Sequence, residues 1–330
     1  MDALDLMPPR YAPTLGPPIW YGYEQYERLD YDGYWLPFER NFDVRPTTTF
    51  LHNYYWPAVI GISVVYLSLI YIGQRFMRNR PAYDLRRALQ LWNYGLAIFS
   101  LLGAWRQTVE LWFVYRNRGF IGTACTVSLS YSVVAFWGEQ FAFSKVVELG
   151  DTMFLVLRKR PVTFLHWYHH VTVLAYTWHA VRDHTVAGRW FIWMNYTVHA
   201  IMYTYYAYMS SGGPRLPKFI SASITTLQIA QMFVGCFVSW QTYRLKTTPG
   251  QYCHQTWENI YFCAVMYSTY CALFVRYFYL AYISKRHKSP AVAEPKQRRD
   301  KKELANGLIR NGVHYEVNGN VLPNGKMHAD

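Results

Sequence analysis

Apolar residues along this chain gather into seven windows, near Trp56–Gly73, Leu89–Tyr115, Val127–Leu157, Thr163–Val181, Trp190–Met209, Phe219–Trp240 and Ile260–Ile283, separated by short polar connections. Each reaches the roughly 20 residues that a helix needs to cross a hydrocarbon core. The pattern predicts an all-α, polytopic membrane protein with seven transmembrane helices. The first and fourth windows are short, and the third is long with charges at its centre. Outside the windows the chain is polar. The domain organisation read from this is an amino-terminal segment over 1–50, a membrane domain over 51–288 and a disordered basic tail over 289–330.

Composition agrees: 52% of the 330 residues are hydrophobic, 19% aromatic and only 16% charged, beyond ordinary soluble usage. A mean hydropathy of -0.07 is diluted by the polar ends and by thirty tyrosines. Alternate connections hold thirteen Lys/Arg (Arg75, Arg78, Arg80, Arg86, Arg87, Arg158, Lys159, Arg160, Arg215, Lys218, Lys285, Arg286, Lys288), against six in the opposite ones (Arg116, Arg118, Arg182, Arg189, Arg244, Lys246). The positive-inside rule then sets a lumenal amino terminus and a cytosolic carboxyl terminus, which an odd number of spans requires. Met1–Phe50 lacks the pattern of a cleavable signal peptide, so the first span is expected to direct its own insertion. Much of the net charge of +13 lies in the tail and cytosolic connections. It does not argue for nucleic acid, and the basic stretch from Lys296 to Lys302 reads first as a solvated charge run, with attraction to anionic lipid the alternative.

The chemistry is concentrated in polar residues inside the windows. His166, His169 and His170 share one helical face at i, i+3 and i+4. A histidine triplet at membrane depth is costly unless it lines a polar site. Three further stripes accompany it: Lys145, Glu148, Asp151 and Thr152; Asn195, His199, Tyr203 and Tyr206; Thr225, Gln228 and Gln231. Counted from the cytosolic connections at about 1.5 Å per residue, Asp151, His169, His199 and Gln228 lie roughly 10 to 16 Å in. A single intramembrane histidine or glutamine often makes only a helix-to-helix hydrogen bond, but four stripes at one level predict an enclosed reaction chamber.

Cys125, Cys236, Cys253, Cys263 and Cys271 lack the close pairing of a zinc site. Cys125 and Cys253 both fall toward the lumenal side, where a disulfide and an ordinary apolar role fit equally. The triplet also matches one histidine box of the membrane di-iron desaturases and hydroxylases. Those sites need about eight ligands in several boxes, and here only His199 has a place near the triplet. His52, His179, His184, His254, His287, His314 and His328 are dispersed toward connections, interfaces and termini, so no metal is expected. A lipid transporter or receptor would fit seven spans but gives no reason for the triplet.

In order and spacing, Lys145-Val-Val-Glu148-Leu-Gly-Asp151-Thr152, His166-Trp-Tyr-His169-His170, Asn195-Tyr-Thr-Val-His199-Ala-Ile-Met202-Tyr203-Thr-Tyr205-Tyr206 and Thr225-Thr-Leu-Gln228-Ile-Ala-Gln231 resemble the four signature motifs of the ELO family of very-long-chain fatty acid elongases. The resemblance covers about Tyr54 to Lys288. Trp167 within the histidine box, preceded by Leu165, resembles the subgroup that extends saturated and monounsaturated palmitoyl-type chains. The resemblance implies a 3-ketoacyl-CoA synthase of the endoplasmic reticulum, condensing a long-chain acyl-CoA with malonyl-CoA and releasing carbon dioxide and coenzyme A. It implies six helices around an acyl tunnel open to the cytosol, and no cofactor beyond the substrates. It also implies partnership with the ketoacyl reductase, dehydratase and enoyl reductase of the elongation cycle, with homo- or hetero-dimers an open question. Arg158, Lys159, Arg160, Arg215 and Lys218 are the candidates for contact with coenzyme A phosphates. Lys145, Glu148, Tyr203, Tyr206 and Gln231 are the remaining candidates for substrate binding.

A thioester needs a nucleophile, and a neutral imidazole held in one tautomer can supply it. His169 is the expected nucleophile, assisted by His199. Asn195 and Gln228 offer amide donors to developing oxyanions, while His166, His170 and Asp151 are expected to fix tautomers and positions. Soluble condensing enzymes use a cysteine, but no cysteine lies in any of the four stripes.

Overall fold

A computed structural model of the chain describes residues 36–40, 42, 45–125, 133–251 and 253–284. Most of the expected amino-terminal segment, the first residues of the third window and the basic tail lie outside these. Among the described residues the structure is helical, without strands. A single turn, α1 (Pro37–Arg40), is followed by α2 (Arg45–Met77), α3 (Arg86–Cys125), α4 (Val133–Glu148), α5 (Gly150–Leu157), α6 (Phe164–Arg182), α7 (Gly188–Ser210), α8 (Lys218–Thr247) and α9 (Trp257–Phe278). A separate unit begins at Tyr279, where a short π-helix runs to Ile283.

Every predicted window falls on helix, with two differences. The third is not one continuous helix but two, meeting at Leu149, where the Leu149 N–H bonds the Val146 carbonyl and the Thr152 N–H the Leu149 carbonyl in the tighter i, i+3 pattern; Gly150, beside it, lets the Trp92 ring approach closely. The second extends to Cys125 through Gly119, whose φ of 63° breaks the helical run in a conformation that glycine adopts readily. α6 starts after Pro161, where the Thr163 side chain accepts the His166 backbone N–H, a common N-cap arrangement. α2 begins at Arg45, inside the segment expected to precede the helical domain.

Three helices, Pro46–Met77, Lys218–Thr247 and Trp257–Ile283, are long and apolar enough to cross a membrane. Divided, α4 and α5 are each too short by themselves, and α6 carries His166, His169, His170 and His179. The outer faces suit lipid: Ile60, Val64, Leu69 and Ile72 of α2 and Phe219, Phe233, Phe237 and Trp240 of α8 are exposed. Neighbouring helices close a circuit, with α3 against α7, α7 against α8, α8 against α9, α9 against α6, α6 against α4 and α4 against α3. α2 packs on α6 and α5.

The core between α6, α7, α8 and α9 is formed by Tyr176, Phe191, Met194, Met232, Met266 and Tyr267. A second cluster, Leu51, Tyr55, Val59, Leu174 and Trp178, joins α2 to α6. Close approach needs small residues: an added Cβ at Gly235 would stand 2.2 Å from the Tyr267 ring. Several buried charges are paired. Arg189 bonds both Glu110 oxygens at 2.8 and 3.0 Å and the Thr123 carbonyl at 2.7 Å. Arg106 holds Glu39 at 2.6 Å while Trp137 Nε1 donates to the same carboxyl at 2.8 Å, which fastens α1 to α3 and α4. Removing one member of such a pair costs about 3–5 kcal/mol. At one end of the bundle a disulfide joins Cys125 to Cys253, Cα atoms 4.4 Å apart, the pairing that the sequence had left open.

Candidate functional site

The histidine triplet lies one to two turns inside the start of α6, and its members have different surroundings. The Thr152 hydroxyl lies 2.8 Å from His166 Nε2 and 2.8 Å from the Tyr66 hydroxyl, so α2 and α5 together hold that ring. His170 is buried between its neighbours, with ring centres 4.5 Å from His166 and 5.5 Å from His169. Among the three, only His169 lines the cavity at the centre of the helix circuit. Tyr270 of α9 lies against its ring at 5.0 Å between centroids. The Tyr270 hydroxyl donates to the His169 carbonyl at 3.2 Å and meets the Thr172 hydroxyl at 2.6 Å.

Facing the triplet, Lys145 of α4 donates to Glu148 Oε1 at 2.7 Å and to Asn195 Oδ1 at 2.9 Å. Lysine has only donors, so the oxygen of the Asn195 amide is the atom turned toward it. The amide nitrogen is therefore the atom 3.2 Å from His199 Nε2. It must donate, so Nε2 accepts and the His199 proton sits on Nδ1. That nitrogen points toward Glu148 Oε2, 3.8 Å away. One buried lysine thus sets the tautomer of a histidine it does not touch. Asn195 also lines the cavity and keeps a second N–H.

The expected stripe over Lys145, Glu148, Asp151 and Thr152 is split by the break at Leu149. Lys145 and Glu148 face α7, Thr152 faces His166, and Asp151 accepts from Trp92 Nε1 at 2.6 Å and from the Tyr203 hydroxyl at 2.7 Å. Asp151 therefore joins α5 to α3 and α7 without touching the triplet. Gln228 donates to Met202 Sδ at 3.3 Å and is not among the residues lining the cavity, whereas Gln231, one turn further, is. Tyr206 is exposed at 44% beside Tyr205. Arg160, Arg215 and Lys218 are exposed and Arg158 half-buried. Lys159 Nζ is taken up by the carbonyls of Arg78 at 3.2 Å and Arg80 at 2.8 Å.

The cavity, together with the open solvent at its mouth, takes in about 920 Å³ of space free of protein atoms. It runs from His169 along a stripe of α6 marked by Val173, Tyr176, Thr177, Ala180 and Val181 to Thr185 beyond the helix. Phe141, Phe191, Ile192, Met232 and Met266 form apolar wall. The course of the lining suits an elongated apolar ligand. Sequence reasoning did not single out Tyr270, Thr172, Trp92, Tyr66 or Thr48. The first four are polar aromatic or hydroxyl groups whose spacing carries no signal among thirty tyrosines, and Thr48 precedes the first window.

Past the end of α6, Asp183 lies 3.2 Å from His179 Nδ1, 2.7 Å from Arg182 Nε and 3.0 Å from the Thr256 hydroxyl. Burial alone would raise its carboxyl, but the bonds from His179 and Arg182 outweigh that and hold it near 2. Next to it, burial pushes the His184 imidazole down to about 4, with His254 acting in the same direction.

Residues 50–290 match the family described as ELO, GNS1/SUR4. The chain is 44% identical to very long chain fatty acid elongase 6 of Drosophila melanogaster over 79% of this chain and 83% of that protein. It is 43% identical to very long chain fatty acid elongase 3 of Homo sapiens over 76% and 91%, and 36% identical to very long chain fatty acid elongase 6 of Mus musculus over 76% and 94%.

Proposed function

Since this chain belongs to the ELO, GNS1/SUR4 family and is a multi-pass membrane enzyme of fatty acid elongation, we propose that it is the condensing enzyme: it joins a long-chain acyl-CoA to malonyl-CoA, yielding 3-ketoacyl-CoA, carbon dioxide and coenzyme A. The observation that carries this reading is that His169 alone of the triplet opens onto the elongated apolar cavity, with Asn195 beside it. In the first step a His169 ring nitrogen attacks the thioester carbonyl, the C–S bond breaks and coenzyme A leaves with the imidazole proton. In the second, malonyl-CoA loses carbon dioxide, and the electron pair of the broken C–C bond attacks the acyl-imidazole carbonyl. The new C–C bond forms as the bond from the acyl carbon to the imidazole nitrogen breaks, and that nitrogen takes up a proton from water to restore neutral His169. The free N–H of Asn195 is the donor for the developing oxyanion. His199, with its proton fixed on Nδ1, offers an acceptor edge held by Asn195.

We further propose that the seven windows are seven spans, six of them forming the circuit around the acyl tunnel, in the endoplasmic reticulum membrane. The Arg158–Arg160 and Arg215–Lys218 connections would then be cytosolic and meet coenzyme A, and the disulfide end would be lumenal. The positive-inside count supports this orientation, and the Cys125–Cys253 pair suits an oxidising compartment. The ketoacyl reductase, dehydratase and enoyl reductase that consume the product are the partners this reaction calls for, and self-association is compatible with it.

The test is direct. Purified protein supplied with malonyl-CoA and acyl-CoAs of graded length and saturation is expected to give 3-ketoacyl-CoA two carbons longer, peaking at palmitoyl-type substrates. Incubation with acyl-CoA alone is expected to leave the acyl mass on the His169 peptide. No product from folded protein with any acyl-CoA would refute the reading.

A further inference from the structure

The far end of the cavity, beyond its apolar middle, mixes apolar and polar wall. Beside Ala180 and Val181 it is lined by Thr48 of α2, Glu139 of α4, Thr177 of α6, and His184 and Thr185 beyond it. Thr48, Glu139, Thr177 and Thr185 are all buried. The Thr47 hydroxyl donates to Glu139, and Thr177 donates to the Leu174 carbonyl at 3.2 Å, which leaves its oxygen as an acceptor. Thr185 is 3% exposed and its hydroxyl oxygen has no hydrogen-bond partner in the protein. A hydrocarbon terminus would leave the buried Thr185 hydroxyl unmatched, which is costly for a buried polar group. A terminus with a hydroxyl would match it.

From this geometry we propose that the far end of the cavity receives an oxygen-bearing chain terminus, so that acyl-CoAs ending in a hydroxyl group are substrates of the same site. This rests on the condensation reading above. From His169 to Val181 the axis of α6 rises about 18 Å, and the Thr185 N–H returns to the Ala180 carbonyl at 2.9 Å, which places Thr185 at that level. A chain advancing about 1.25 Å per carbon, the axial projection of a C–C bond, therefore ends there at about fourteen to sixteen carbons. The chemistry also selects among oxygenated ends. A terminal hydroxyl can exchange a hydrogen bond with the Thr185 hydroxyl, as donor or as acceptor, whereas a terminal carboxylate would face the Glu139 carboxyl and be disfavoured. Sites that hydrogen-bond a substrate hydroxyl discriminate more strongly than sites that measure length alone.

The experiment uses the full chain in detergent with malonyl-CoA and three acyl-CoAs: palmitoyl, 16-hydroxypalmitoyl and the 16-carboxy analogue. Mass spectrometry of the 3-ketoacyl-CoA products gives kcat/KM for each. The hydroxylated chain is expected to be used within about threefold of palmitoyl or better, and the carboxylated one at least tenfold less well than the hydroxylated one. Thr185→Val should lower the hydroxyl-to-methyl ratio about tenfold, and Thr185→Ser should retain it. A ratio is read within one sample, so loss of folded protein does not alter it. Turnover of palmitoyl with rejection of the hydroxylated chain, or a ratio indifferent to Thr185→Val, would overturn this inference alone. No product from any of the three would overturn the condensation reading and this inference with it.

Discussion

Lys145 donates to the side-chain oxygen of Asn195 at 2.9 Å, and that bond decides which end of the amide faces His199. Asn195→Asp keeps the shape and the bond to Lys145 but replaces the donor to His199 Nε2 with an oxygen. His199 must then move its proton to Nε2 or become charged. Elongation is expected to fall by about 100-fold, the scale of losing one positioned group in an acyl-transfer site. Thermal unfolding should shift little. Activity within a few-fold of wild type would show that the His199 tautomer is immaterial.

Tyr270 presents two interactions to His169, a ring contact at 5.0 Å and a hydroxyl bond to its carbonyl at 3.2 Å. Tyr270→Phe removes only the second, at about 0.5–1.5 kcal/mol in stability, and is expected to lower kcat less than tenfold with KM unchanged. Tyr270→Ala removes both and opens space beside the nucleophile, so kcat should fall much further. Equal effects from the two variants would assign the contribution to the hydroxyl alone.

Acid should loosen the disulfide end first. His184 is held near 4 by burial, below its unfolded value of about 6.5. The unfolded chain therefore binds a proton that the folded chain refuses between those values, and stability falls as pH drops from about 6.5 toward 4. Asp183, held near 2, adds a second loss from about 4 downward. Unfolding midpoints measured from pH 7 to 4 should decline, and His184→Gln should flatten that slope. A flat wild-type profile over this interval would contradict the burial of His184.

The Cys125–Cys253 bond spans 128 residues of sequence. Cys253→Ser should expose one additional thiol to alkylation under denaturing, non-reducing conditions, since Cys125 loses its partner. A bond closing so long a loop typically contributes about 2–4 kcal/mol, so the variant should also unfold at lower temperature. A thiol count lower than wild type by one would show that the two cysteines are not joined.

The helices were legible because their apolar windows are long and their boundaries carry ordinary signals, such as Pro161 and Thr163 before α6. The stripes on α6 and α7 were legible because 3.6-residue periodicity puts His166, His169 and His170, and Asn195 and His199, on shared faces. The division at Leu149 was not, since it is a local switch to i, i+3 bonding between residues in helical conformation that the apolar run does not mark. Gln228 and Gln231 occupy one stripe, and only the packing of α8 against α7 decides which of them reaches the cavity. Tyr270 needed the register of α9 against α6, and no local pattern supplies that.

The Thr48 side chain closes part of the cavity from a position just ahead of the stretch, 50–290, that matches the family. Glu39, which anchors α1 through Arg106 and Trp137, lies further upstream still. The far wall of the chamber therefore draws on both parts of the chain, Glu139, Thr177 and Thr185 from within the family stretch and Thr48 from ahead of it. A leader exchanged between relatives could reshape what the chamber holds while every signature residue stays in place.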